Sequence, residues 1–252
     1  MRRREWMLTA CAAAAAGCGG GSARGPLRAL VGGTLIDPGG QVQPRGVVLL
    51  AGSYITQVGA PNAVTVLPGI EQWNATGRFI IPAPIELGYG VPLPRIETLK
   101  EARASLISTP WAVEGLVSDA DELPPLLVRR FKETGTVVVP RLARHLADPA
   151  RLERVIAHVR DLHRAGVRLA AFGEPDAMSE WKLLERAGLR PPEVLEAITV
   201  NAARVAHMHE DMGRLRLGFR ANLWVLRENP LQSVDALASV DAILVVGNWK
   251  DR

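Results

Sequence analysis

The apolar positions of this chain change their spacing along its length. Over residues 27–81 they fall in short runs broken by glycine: ALVGGTLID, then GVVLLAGSYITQVG, where residues 47–50 and 54–58 flank Ala51-Gly52-Ser53. Two such runs around a short glycine-bearing link predict a β-hairpin. A further run, Arg78-Phe79-Ile80-Ile81, meets Pro82, whose fixed φ and missing N–H should end the strand there. After Pro84 the spacing becomes helical, over 97–107 and more clearly over 149–165. In the second segment Leu152, Val155, Ile156, Val159 and Leu162 recur on one face and Gly166 closes it. The apolar runs 136–139, ending at Pro140, and 167–172 read as buried strands. Strand, helix, strand in that order predicts a parallel sheet. Two more helices are predicted, 178–187 before Gly188 and a longer one from Pro191-Pro192 to about residue 206. The tail returns to strands at 221–226 and 242–246, and no internal repeat is visible.

Composition narrows the class without naming a function. With 252 residues, 48% of them hydrophobic and 22% charged, the chain can bury a substantial core. Its 24 glycines have no three-residue period, which excludes a collagen-like rod. The only cysteines are Cys11 and Cys18, which excludes a disulfide framework. The net charge of +4 falls to +2 for residues 18–252, and no Lys/Arg block recurs after the first residues. No nucleic-acid partner is expected from a surface so nearly neutral.

Residues 1–18 read MRRREWMLTACAAAAAGC: a basic head, an uncharged stretch from 6 to 17, then a cysteine after small residues. This is the pattern of a signal peptide, and twelve uncharged residues are too few to span a bilayer as a helix. Ala15-Ala16-Gly17-Cys18 resembles a bacterial lipobox, which implies lipidation of Cys18 and a membrane partner through that lipid. The expected address is the periplasmic side of the cell envelope, at the outer membrane. Arg3-Arg4-Glu5-Trp6-Met7 leaves both the twin-arginine and the general secretory route open. Residues 19–27, rich in Gly, Ser and Ala, read as a flexible tether.

Both ends of the remaining chain resemble the metal-dependent amidohydrolase superfamily, in its imidazolonepropionase and prolidase-like branch. GGTLID, GVVLLAGSYITQVG and NATGRFIIPAPIEL are similar to the family's opening text. GVRLAAFGE, EWKLLERAGLRPPEVLEAITVNAARV and MGRLRLGFRANLWVLRENPL are similar to its closing text. The resemblance covers about residues 28–90 and 112–252. It implies an α/β fold: a composite β-sandwich built from both termini, 28–80 with 209–252, around a TIM-like (β/α) barrel in 81–208 whose strand ends hold one or two divalent metals, commonly zinc.

The chain departs from that pattern at the ligand positions. Where the family carries His-x-His, it reads Gly88-Tyr89-Gly90; where the sixth-strand histidine belongs it has Gly115, after Glu114. The closing aspartate falls on Glu174, and a histidine that often follows falls on Met178. Only 127 residues separate Pro82 from Met208 inclusive, room for about four βα units of about 30 residues. The text matches strands 1, 6, 7 and 8, so a truncated barrel is expected: an open four-stranded parallel sheet with exposed edges, through which a homodimer could form. Glycines at the strand ends should leave a shallow groove for a small molecule or peptide, with Tyr89 and Glu114 as binding residues and Glu174 on the rim.

Candidate catalytic groups are few. Glu174 and His145 sit near predicted strand ends and could serve as base or ligand. His158 and His163 lie five apart on one helix, about 140° around its axis, and are read as solvated or boundary residues. His207 and His209 fall in a surface loop. The expectation is an amidohydrolase-related envelope lipoprotein, catalytically inactive, that binds or scaffolds, with no cofactor. The alternative is a divergent hydrolase of non-peptide carbon-nitrogen bonds that uses zinc.

Overall fold

The computed structural model describes residues 25–85, 92–108, 110–172 and 177–250. The N-terminal part forms β1 (Leu27–Asp37), β2 (Gln41–Ala51), β3 (Tyr54–Gly59), β4 (Glu71–Asn74) and β5 (Phe79–Pro82). The β2–β3 hairpin turns at Gly52-Ser53 as predicted, with Gly52 at a positive φ of 54°. Period-two alternation splits the hairpin and β1 between two faces. Leu30, Leu35, Val48 and Leu50 enter one core, while Ala29, Val47 and Leu49 pack with Val64 on the other.

These five strands share one eight-stranded sheet with three from the C-terminal part, β9 (Leu223–Leu226), β10 (Val240–Val245) and β11 (Asn248–Trp249). The order is β11-β10-β9-β5-β1-β2-β3, with β4 also on β1. The segment leading into β9 is tied to the hairpin as well: the Ala221 amide donates to Ser53 O and the Ile55 amide to Phe219 O, both at 2.8 Å. Trp73 and Trp249, from the two ends of the chain, lie with ring centroids 5.3 Å apart.

Between these strands lie β6 (Ala112–Glu114), β7 (Val137–Val139) and β8 (Arg168–Leu169), a three-stranded parallel sheet. Its helices are α1 (Leu99–Ser108), α2 (Pro125–Thr134), α3 (Pro149–Ala165) and α4 (Ala177–Arg186). Helix α3 begins where the sequence placed it. Asp148 caps it by accepting from the Arg151 amide, and Gly166 ends it in the left-handed conformation. The longer predicted helix is α5 (Pro191–Glu196), a π-helical turn (Ala197–Asn201) and α6 (Ala202–Val205). Residues on the two faces of the small sheet go to different partners. Val113, Val138, Leu169 and Ala171 join the core built with α2, α3 and α4; Ala112, Val137, Val139, Ala170 and Phe172 pack with Ile85, Ala202, Ala203 and Val205.

The expected fourth parallel strand is absent from this sheet among the described residues. Strand β5 instead pairs with β1 and β9, and beyond Pro82 the chain is held by Ala83 N to Asn222 O and Ile85 N to Ile198 O, both 2.9 Å. The π turn stands where the neighbour of β8 was expected. Ala171 N donates to Ala197 O at 3.2 Å, and the Asn201 amide donates to Leu169 O at 2.9 Å. On the opposite edge, residues 94–96 lie along β6, with Glu114 N bonded to Pro94 O and Ile96 N to Glu114 O. Helix and loop thus satisfy edge groups that a closed barrel would pair with strands. Among the described residues no helix is long and apolar enough to cross a membrane.

Candidate functional site

The C-terminal ends of the parallel strands bring together charges that lie far apart in sequence. Glu114 is the last residue of β6, and the chain leaving β7 passes through Pro140 to Arg141 and a 3-10 turn, Leu142–His145. Arg141 donates from Nε to Glu114 Oε1 at 3.1 Å, and both side chains are only 13% exposed. Arg144 reaches the same oxygen with Nη2 at 2.6 Å and stands 3.7 Å from Glu97 Oε1 through Nη1. The Arg141 guanidinium also lies 6.0 Å from the centroid of Phe172, beyond the end of β8. The site is therefore a cation pair closed over one carboxylate, with an aromatic wall.

Backbone geometry holds this arrangement. Arg141 has φ +59°, a left-handed conformation that costs a non-glycine residue about 1–2 kcal/mol. The buried carboxylate of Glu180, from the first turn of α4, accepts from the amides of Leu142 at 3.0 Å and Ala143 at 2.7 Å. Those two bonds fix the 3-10 turn directly after the strained residue and so aim Arg141 and Arg144 at Glu114.

Of the residues singled out in sequence, Glu114 is at a strand end and inside this cluster. His145 follows Arg144 and is buried; burial first, then the charge of Arg151, lowers its imidazole below the ordinary range, against the opposing pull of Glu97. Tyr89, Glu174 and Cys18 lie outside the described residues. Two expectations need correction. Gly115 does not open a groove: it has φ +77°, and a Cβ built on it would come within 2.8 Å of Glu97 Cγ, so the Glu97 side chain occupies that space. His158 is not a solvated or boundary residue. It is 1% exposed, with Nδ1 2.8 Å from Val117 O and Nε2 3.1 Å from Asp121 O. Its place beside Val155, Ile156, Val159 and Leu162 puts the ring inside the core, where an imidazole N–H can donate to one of those carbonyls. His163 stays half-buried near Glu193, His207 lies tilted at 44° against Trp111 with centroids 4.7 Å apart, and His209 is exposed beside Glu210.

Sequence reasoning missed Arg141, Arg144, Glu97 and Glu180. The signal for the first two was their place directly after an apolar run ending in Pro140; nothing local marked either glutamate as their partner.

The described residues do not fit the divalent metal that the resemblance implies. Among them no three His, Cys, Asp or Glu gather as a ligand set. The strand-end carboxylate is already neutralised by two guanidinium groups, whose charge repels a second cation at that position.

No family model matches the chain. Ochratoxinase of Aspergillus niger is 34% identical over 93 residues, covering 34% of this chain and 19% of ochratoxinase; the chain thus matches about a fifth of the length of its curated relatives. Among solved structures, molinate hydrolase is similar with a TM-score of 0.75 at 12% identity, over 90% of this chain and 95% of that one. The A. niger ochratoxinase structure gives 0.75 at 13%, over 90% and 96%. Phenylurea hydrolase B gives 0.74 at 11%, over 90% and 97%. The mixed α/β fold is similar to that of these hydrolase structures, and is amidohydrolase-like.

Proposed function

We propose that this chain is an amidohydrolase-related protein of the bacterial cell envelope whose strand-end site binds without hydrolysing. The observation that carries the reading is the clamp of Arg141 and Arg144 on Glu114: arginines stand where hydrolysis in this fold would call for a metal and its activated water. In the same reading the eight-stranded sheet is the counterpart of the superfamily's composite β-sandwich, and the three parallel strands are a barrel remnant. Support comes from the pairing of both chain ends in one sheet and from the strand order β6-β7-β8. The ligand is a small molecule or peptide meeting the surface around Glu114. The lipobox-like Ala15-Ala16-Gly17-Cys18 supports an anchor on Cys18.

A second reading, a divergent hydrolase of carbon-nitrogen bonds using Glu174, His145 or an added metal, is favoured by the local identity to ochratoxinase. One experiment separates the two: zinc calorimetry on the purified protein, followed by assays against cyclic amides and proline dipeptides. The binding reading expects no one-to-one zinc binding at micromolar concentration and no turnover with or without zinc. Stoichiometric zinc with turnover lost on Glu174→Gln establishes the hydrolase instead. For the anchor, Cys18→Ser should release the protein from membranes into the soluble fraction, and unchanged membrane retention rejects it.

A further inference from the structure

In a chain of which 22% of the residues are charged, residues 46–70 contain no Asp, Glu, Lys, Arg or His. They form the second half of β2, all of β3 and the connection toward β4. Part of this stretch lies at the surface: Tyr54 is 39% exposed and Leu67 57%, and Leu27 of β1 is 45% exposed. The register brings the three together. Ala51 is opposite Leu27 on one side and Tyr54 on the other, so these side chains stand on one face of the sheet. Ile70 packs against the small core of Ala29, Val47, Leu49 and Val64 on that same face, and its amide donates to Leu67 O at 3.4 Å. It directly precedes Glu71, the partner of Arg28 in the parallel register, which sets the Leu67 turn beside Leu27.

The chain enters the fold at this same end of the sheet. Gly52, in the turn between Ala51 and Tyr54, donates its amide to Pro26 O at 3.2 Å. Seven residue steps separate Cys18 from Gly25. At about 3.3–3.6 Å per residue, a chain of that length spans at most about 25 Å whatever its conformation. An acyl group on Cys18 therefore keeps the Gly52 turn within about 25 Å of the lipid. Such a short link also lowers the affinity that contact requires. Docking becomes intramolecular, at an effective concentration on the order of millimolar, so a patch too small to bind a membrane from solution is sufficient.

We propose that the charge-free end of the large sheet, around Leu27, Tyr54 and Leu67, is the face this protein lays on the bilayer that holds its anchor. The partner follows from the chemistry of the patch. Entering the boundary between headgroups and acyl chains strips water from whatever enters, which is costly for a charge, and residues 46–70 carry none. Tyr54 offers an apolar ring with a hydroxyl at its tip, the combination suited to that boundary, and the two leucines add apolar area around it. Arg28, next to Leu27, points to the opposite face by strand alternation, where it bonds Glu71, Gly247 O and Asn248. The proposal rests on the lipid anchor read at Cys18 and is independent of the strand-end cluster.

The test uses full-length Cys11→Ser protein, in which Cys18 is the sole thiol. It is coupled through that thiol either to maleimide-bearing vesicles of phosphatidylethanolamine and phosphatidylglycerol or to soluble maleimide-polyethylene glycol. Hydroxyl-radical footprinting read by mass spectrometry then compares the two conjugates. Oxidation of Leu27, Tyr54 and Leu67 should fall severalfold on vesicles, while Ile107 of α1, 88% exposed in the α/β layer, keeps its rate. Combining Tyr54→Asp with Leu67→Asp, both at exposed positions, should abolish the protection of Leu27 without moving the thermal midpoint. Because the coupling is chemical, the outcome does not depend on whether a cell acylates Cys18; release on Cys18→Ser tests the anchor alone. Unchanged oxidation at the three residues or an equal fall at Ile107 overturns the proposal. So does protection that appears only at high protein density on the vesicles, which would mean that a second copy covers the patch.

Discussion

Gly115 shows how a single position can preclude a side chain. A side chain there would meet two obstacles, the left-handed backbone at φ +77° and the Glu97 methylene 2.8 Å from the Cβ. Gly115→Ala should therefore lower stability by about 1–2 kcal/mol in chemical denaturation. In a Glu97→Ala background the loss should shrink without vanishing, because the backbone term remains. Equal stability of Gly115→Ala and the parent would refute this account. His145 supplies a pH test. Its folded-state pKa is lowered, so the unfolded chain binds the proton more readily, and the fold loses stability as pH falls below the unfolded histidine value of about 6.5. Thermal melts from pH 7 down to 5 should show a declining midpoint in the parent and a flatter profile in His145→Gln. Glu193, held below the usual carboxylate range first by its hydrogen bond from Arg190, acts lower: its contribution is present above the ordinary glutamate pKa and is lost as pH falls through the lowered one.

Among elements, the π turn matters most for the α/β layer. In the sequence, residues 191–206 read as one uninterrupted helix, because apolar spacing cannot distinguish an α turn from a π turn. The widened turn sets the carbonyls of Ala197 and Ile198 and the amide of Asn201 against strand edges. Asn201→Ala should leave Leu169 O without its donor and cost about 1–3 kcal/mol. Amide exchange at Ala171, which donates to Ala197 O, should quicken in that variant; unchanged exchange there would mean that the turn is held by other contacts. Helix α3 was legible because its cap, apolar stripe and terminal glycine agree. Helix α2 was passed over, although Pro124-Pro125 and Gly135 bracket it, because only Leu127 and Phe131 of its residues are fully buried and its apolar stripe is short. Strand β8 was predicted over 167–172, but its regular span is Arg168–Leu169: the Ala170 amide still donates to Val138 O of β7, and the Ala171 amide turns to Ala197 O of the π turn.

At the scale of the whole molecule the two sheets are not independent. Ile36 and Ile81 from the N-terminal strands and Leu226 from β9 sit in the same core as Val138, Val155 and Leu184 of the α/β layer. Strand order in the large sheet was legible only through the resemblance of both chain ends to one family, because no local signal tells residue 80 that it will pair with residue 225. The strand-end cluster was less legible still: Glu114 could be placed, but its arginine partners come from 27 and 30 residues away, and only the parallel register brings them together. A shared core has a measurable consequence. Ile81 is fully buried in β5, opposite Trp224, at the boundary between the layers. Ile81→Ala should cost about 2–5 kcal/mol by creating a cavity in that common core. Because the cavity weakens both layers at once, tryptophan fluorescence and helical circular dichroism should report one coincident unfolding transition in the parent and in the variant, displaced equally for both probes. If the fluorescence transition moves while the helical signal keeps its midpoint, the layers unfold separately and the common core does not couple them.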